Sequence, residues 1–235
     1  MAKNMKEAEI IEAFKKTFKA DDIKTLTDND VIMLSGTEGA GKTHMACTIS
    51  ELMPVYFMDT ENRAHKVVRK FEGSKHPIHL YQKQINSYLS IKAGIEAITA
   101  TQPAGAIVID SGTQYDLWAQ DYYLYMSKKD KIYPITLWNE IYRLIDVPIE
   151  TARKAGFTVI MTTRMKEVYR NDKATGELIP RIYNRAPYIS DLMLTVTKAE
   201  KDPVTLTKNS YKDDIVALTF DRDATLPQIL TKAKE

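Results

Sequence analysis

The chain has one cysteine, Cys47, so no disulfide can form within it and its stability has to come from packing. Glycine and proline are sparse, nine of each among 235 residues, which argues against a collagen-like or low-complexity chain. No apolar run approaches the ~18 residues of a membrane-spanning helix. The opening MAKNMKEAEII also lacks the apolar core of a signal peptide. The expectation is a soluble, cytoplasmic protein with no membrane partner. Charge of one sign is missing too. The 33 Lys and Arg against 31 Asp and Glu leave +2, with a pI near 8.4. That balance is too mild to imply a nucleic-acid partner, although it leaves room for a local basic surface. The histidines offer no metal spacing: His65, His76 and His79 are scattered over a helix and a loop, and one cysteine cannot complete a zinc set.

What the chain does have is core. With 44% hydrophobic residues in 235 it can bury a full interior, and its length suits one domain with attachments. Residues 1–27 read as an amphipathic helical segment, because Ile10, Ile11, Phe14 and Phe18 recur at helical spacing. The rest, 28–235, reads as one α/β domain. Continuous apolar runs at Val31 to Leu34, Val55 to Asp59, Gly105 to Asp110 and Phe157 to Thr163 predict parallel strands covered on both faces. Helices are expected from Lys42, from Arg63 to Glu72, from Tyr88 to Thr99 and within 115–154. Trp118, Tyr122, Tyr123 and Tyr125 in that last stretch are expected to pack. After Arg164 the pieces LMLTVTK, PVTLTK and DIVALTF alternate and predict antiparallel edge strands.

The stretch VIMLSGTEGAGKTHMA carries the chemistry. Gly36, Thr37, Glu38, Gly39, Ala40, Gly41, Lys42 and Thr43 match G-x-x-x-x-G-K-[ST] between a buried strand and a helix that continues through His44. Glycines let the backbone close around phosphates so that successive N–H groups point at the negative charge. Lys42 would reach the terminal phosphates and the Thr43 hydroxyl would coordinate Mg²⁺. Asp110, at the end of AIVID, suits the strand-end carboxylate that lies beside such a loop and holds Mg²⁺, usually through water. Glu61, two residues past VYFMD, is placed to orient and deprotonate a water attacking the γ-phosphate. The residues also allow Asp59 and Glu61 to cap the following helix.

In order and spacing, the phosphate loop, FMDTENRA, IVIDSGT, VIMTTRMKEVY and VTLTKNSYKDD resemble the RecA-like ATPases, and most of all the short phage-type proteins of the Sak-like single-strand-annealing group. The similarity covers about residues 28 to 220. It implies a RecA-like P-loop NTPase core, ATP with Mg²⁺, and Glu61 as the catalytic glutamate. It also implies a polar γ-phosphate sensor at Thr163, or Arg164 with a one-residue shift, where RecA has an amide. Lys208 would correspond to the first lysine of a K-N-K segment that enters a neighbouring subunit's site; Ser210 replaces the second. DNA contact is implied for the loop 164–190, where Lys166, Arg170 and Arg181 are interleaved with Tyr169, Tyr183 and Tyr188, although KATGEL also reads as a hairpin turn. Lys128 and Lys129 mark the counterpart of a first DNA loop. The implied partners are single-stranded DNA, further copies of the chain in a filament or ring, and a single-strand-binding protein, in a host-cell cytoplasm. Two alternatives stay open: a replication motor or loader, and a nucleotide-dependent assembly switch with little hydrolysis.

Overall fold

A computed structural model describes residues 29–132, 137–199, 203–211 and 218–235. The amphipathic segment expected at 1–27 lies outside them. The elements run β1 (Val31–Gly36), α1 (Lys42–Cys47), β2 (Val55–Asp59), α2 (His65–Val68), β3 (Ile78–Tyr81), α3 (Tyr88–Thr101), β4 (Ala106–Asp110), α4 (Gly112–Ser127), α5 (Trp138–Lys154) and β5 (Thr158–Thr163). They continue with β6 (Met165–Arg170), β7 (Lys173–Pro180), α6 (Ala186–Ile189), β8 (Leu192–Val196), β9 (Val204–Asn209), β10 (Leu218–Phe220) and α7 (Leu226–Lys234).

Eight strands form one sheet in the order β10-β9-β8-β1-β5-β4-β2-β3, and β6 and β7 form a separate hairpin. From β8 to β3 every neighbour is parallel; β9 and β10 add antiparallel edges. The parallel strands are apolar throughout because both faces are covered. Side chains alternate between the faces. Val31, Met33, Ile107, Ile109, Val159 and Met161 join α3, α4 and α5 in one core. Ile32, Leu34, Val55, Phe57, Val108 and Ile160 join α1 and α7 in the other. Each fully buried Ile, Leu or Phe contributes roughly 1.5–3 kcal/mol, so the two layers hold the frame of the site rigid.

The strand order positions the chemistry. β5 lies between β1 and β4, with Val159 opposite Val31 and Thr158 opposite Ala106, so its end is inserted between the phosphate loop and Asp110.

Several expectations are corrected. LMLTVTK is not antiparallel to its inner neighbour: β8 runs parallel to β1 and only its outer pairing, with β9, is antiparallel. KATGEL is strand, not turn; the turn is Asn171-Asp172, whose φ values of 50° and 59° suit a two-residue hairpin loop. The 63–72 helix shortens to His65–Val68 followed by a 3₁₀ turn, Arg69–Phe71. Tyr125 is 78% exposed rather than packed, while Tyr123 lies in the core. β3 and α7 have no counterpart in the sequence reading.

Candidate functional site

Two glycines allow the loop after β1 to form. A Cβ on Gly36 would stand 2.2 Å from the Val196 carbonyl oxygen, so the strand can leave the sheet here only without a side chain. Gly41 enters α1 at φ 104°, a left-handed conformation that costs glycine little. The loop then folds on its lysine: Lys42 Nζ donates to the carbonyls of Gly36 (2.8 Å) and Thr37 (2.9 Å). Partial burial pulls the Lys42 pKa down, opposed by the charges of Asp110 and Glu61.

The loop, β2, β4 and β5 meet around a cavity of about 780 Å³ whose lining includes Thr37, Glu38, Gly39, Lys42, Thr43, Glu61, Asp110, Thr162 and Arg164. Asp110 is clasped from two sides. Thr43 Oγ1 donates to its Oδ2 at 2.7 Å, and the Thr162 hydroxyl donates to its Oδ1. Burial pushes the Asp110 carboxyl above its ordinary value; the two hydroxyls oppose this, and the nearby Asp59 and Glu61 reinforce it.

The two carboxylates after β2 have separate jobs. Asp59 is buried, accepts from the backbone N–H of Glu61 (3.0 Å) and Ala64 (2.7 Å), and is held by Gln82 Nε2 (2.6 Å). It is therefore the residue that closes the turn ahead of α2. Glu61 is turned into the cavity, where its Oε1 accepts from Ser111 Oγ (3.0 Å) and Arg164 Nη2 (2.7 Å). Arg63 stands at the mouth, 3.5 Å from Glu38.

Thr163 does not face this cavity. It is fully buried on the opposite face, donating to Ser35 Oγ at 2.9 Å. Thr162 and Arg164 line the cavity in its place. Alternation explains the exchange: Thr162 follows Ile160 toward α1, whereas Thr163 follows Met161 away from it. The sequence reading also missed Ser111 and Gln82. The hydroxyl directly after Asp110 was the visible signal for the first; nothing in the spacing pointed to the second.

The other candidates lie apart. Lys208 Nζ is held by the carbonyls of Pro187 (2.7 Å) and Ser190, where it steadies the end of α6, and it does not line the cavity. Lys166 and Arg181 meet at a second cavity of about 600 Å³ with Asp116, Gln120 and Trp138. Arg170 and Tyr169 sit at the turn end of the β6–β7 hairpin, Arg170 paired with Glu177 at 3.3 Å and Tyr169 64% exposed. Tyr183 is not a stacking platform: it is in the core, its hydroxyl donating to Asp146 Oδ1 at 2.9 Å. Lys128 and Lys129 are exposed at the C-terminal end of α4. Among the described residues no three His, Cys, Asp or Glu side chains gather as a metal cluster, and no helix is long and apolar enough to cross a membrane.

A mostly parallel sheet with flanking helices, antiparallel edge strands and a glycine-rich loop at its C-terminal edge defines an α/β fold of the RecA-like kind. Among solved structures, a prototypical ATPase from the type III secretion system of pathogenic bacteria is similar, with a TM-score of 0.50 and 15% identity over 75% of this chain and 56% of that one. The chain thus spans 56% of that protein's length, and the likeness is one of fold. No protein-family model and no curated protein matches the sequence.

Proposed function

We propose that this chain binds and hydrolyses ATP at the cavity above β1 and acts on single-stranded DNA in recombination or annealing, as a phage-type RecA-like protein. The observation that carries the nucleotide half is the convergence of Lys42 and Thr43 from α1, Glu61 from the turn after β2 and Asp110 from the end of β4 on one cavity. Lys42 exchanges two neutral carbonyls for anionic phosphate oxygens. The loop N–H groups hold the phosphates in register for in-line attack. Glu61 accepts the proton of the attacking water, and Ser111 fixes the carboxylate that does so. Thr43 Oγ1 and Asp110 Oδ2, 2.7 Å apart, fit a hard divalent cation completed by water and phosphate oxygens. When bound, Mg²⁺ supplies charge neutralisation on the transferred phosphoryl group.

The DNA half rests on placement. The β6–β7 hairpin leaves the sheet at Arg164, one residue past β5, and carries Lys166, Arg170 and an exposed Tyr169. Cations neutralise phosphates and aromatics stack on unpaired bases. Lys208 acts in this reading on a neighbouring copy's site, after leaving its own carbonyl contacts, as part of a filament or ring.

A second reading has its own support. Arg164 holds the Glu61 carboxylate, which favours a nucleotide-dependent assembly switch with little hydrolysis until that pair opens. One measurement separates the two: steady-state ATPase with and without single-stranded DNA. Stimulation by single strands and not by duplex supports the recombination reading. Low turnover unaffected by DNA, together with nucleotide-dependent assembly, supports the switch. Absence of ATP binding overturns both.

A further inference from the structure

The charges lining the cavity do not suit a polyphosphate on their own. Lys42, Arg63 and Arg164 face Glu38, Asp59, Glu61 and Asp110, three cations against four carboxylates. Two of the three are already engaged, Arg63 with Glu38 and Arg164 with Glu61. Lys42 alone is then set against a ligand carrying several negative charges.

The sheet supplies another cation. β8 runs parallel beside β1, with Thr195 opposite Ser35 and Val196 opposite Gly36, so both strands reach the same edge together. The chain leaving β8 therefore passes beside the phosphate loop, and Lys198 is two residues past the strand. Its side chain lies against the middle of the loop, beside Gly39 and outside the lining of the cavity itself: a Cβ built on Gly39 would stand 3.2 Å from Lys198 Nζ and 3.3 Å from Cε. Gly39, at φ 71°, combines a left-handed backbone with the absence of a side chain exactly where the ammonium needs room. The backbone of this segment is anchored as well. Arg222 Nη2 donates to the carbonyls of Lys198 and Ala199, each at 2.8 Å.

We infer that Lys198 is a second phosphate-binding cation of this site, contributed by the same chain from the end of β8 and positioned by Arg222. The inference rests on the nucleotide reading above and names a residue that neither the G-x-x-x-x-G-K-[ST] motif nor the catalytic set contains. Lys42 comes from α1 and Lys198 from the segment after β8, so two different elements would present a cation to the same phosphates.

The test is equilibrium titration of the full chain with a fluorescent ATP analogue, competed by ATP. Lys198→Ala is expected to weaken ATP about tenfold, the effect of one partly exposed charge-assisted contact, with melting unchanged because the side chain is exposed. Lys198→Arg should restore most of the affinity. Arg222→Ala should lose part of it, and the Lys198→Ala/Arg222→Ala pair should lose no more than Lys198→Ala alone, since Arg222 acts only through the lysine. Wild-type affinity in Lys198→Ala, with binding abolished in Lys42→Ala, overturns the inference and leaves the nucleotide reading standing. Binding retained in Lys42→Ala overturns the reading itself, and the inference with it. Full additivity in the pair removes the positioning role of Arg222.

Discussion

Glu61→Gln separates chemistry from structure more cleanly than any other change at the cavity. The carboxylate oxygen that accepts from Ser111 and Arg164 becomes an amide oxygen of the same reach, so both donors keep an acceptor. What is lost is the charge and the ability to take a proton. In Coulomb terms a pair at 2.7 Å is worth ~6 kcal/mol at an effective dielectric constant of ~20. Arg164, however, is 52% exposed and Glu61 25% exposed. Solvent screening and side-chain entropy reduce such a pair to ~1 kcal/mol or less. For a chain of this size that is a shift in Tm of about 2–4 °C. Turnover should fall far more, by ~10²-fold or above, since a general base commonly contributes 10²–10⁴. The assay pairs single-turnover phosphate release with nucleotide titration and thermal melting. Expected are near-normal binding, a small melting shift and a collapse of phosphate release. Unchanged release would refute the assignment and return Glu61 to a role in shaping the turn beside Asp59.

Thr162 and Thr163 should part company: Thr162→Val removes a hydroxyl from Asp110 and should slow turnover about tenfold, the effect of one charge-assisted hydrogen bond, as measured by ATPase rate. Thr163→Val strands the buried Ser35 hydroxyl and should cost ~1–3 kcal/mol of stability with the rate kept, read by denaturant melts. Burial raises the carboxyls of Asp110, Asp30, Asp116 and Asp146 above the ordinary carboxylate value. The folded chain then binds protons more tightly than the unfolded one, so stability should fall as pH rises from about 3.8 through the raised values, and Asp110→Asn should melt higher at neutral pH while losing Mg²⁺-dependent hydrolysis. Replacing Lys166, Arg170 and Arg181 together should weaken single-stranded DNA binding and reduce the log–log salt slope by ~0.7 for each lost phosphate contact, whereas Tyr169→Ala should lower affinity at constant slope. Unchanged affinity in the triple variant would leave the hairpin a structural element.

The legibility of the site followed the locality of its signals. The phosphate loop was readable because its glycines, lysine and threonine are contiguous and their spacing is imposed by backbone wrapping. That Asp110 and Glu61 would lie at the cavity was readable because Asp110 ends one apolar strand and Glu61 stands two residues past another. The step from Thr163 to Thr162 was not taken, although alternation contained it: Ile160 and Val108 share a face with α1, so Thr162 and Asp110 must share it too. The parallel setting of β8 was hidden because LMLTV pairs one way inward and the other way outward, and alternation alone does not distinguish the two. The hairpin turn was misplaced because Gly176 drew the eye, while Asn171 and Asp172 took the left-handed conformations. Lys198 could not be read at all. Its proximity to Gly39 is a product of strand order, which brings residues ~160 positions apart onto one edge.

Taken together, the contacts at the cavity describe a site whose functional groups are each engaged by another part of the chain. Lys42 is on two carbonyls, Thr43 on Asp110 and Glu61 on Arg164. In the proposed reading a triphosphate replaces the first contact, a cation the second and the catalytic step the third, and the exchanges are unequal. Lys42 moves from neutral acceptors to charged ones, a gain available to any polyphosphate. A cation between Thr43 and Asp110 would offset the cost of holding a buried carboxylate charged, the cost that raises the Asp110 carboxyl. As the proposed base, Glu61 would become competent only once Arg164 leaves it. Binding and hydrolysis therefore draw on different contacts: the first on the loop and α1, the second on the residue at the root of the β6–β7 hairpin. If single-stranded DNA grips that hairpin as proposed, it should change the rate of hydrolysis without changing the affinity for nucleotide, so the expected stimulation is in kcat rather than in KM.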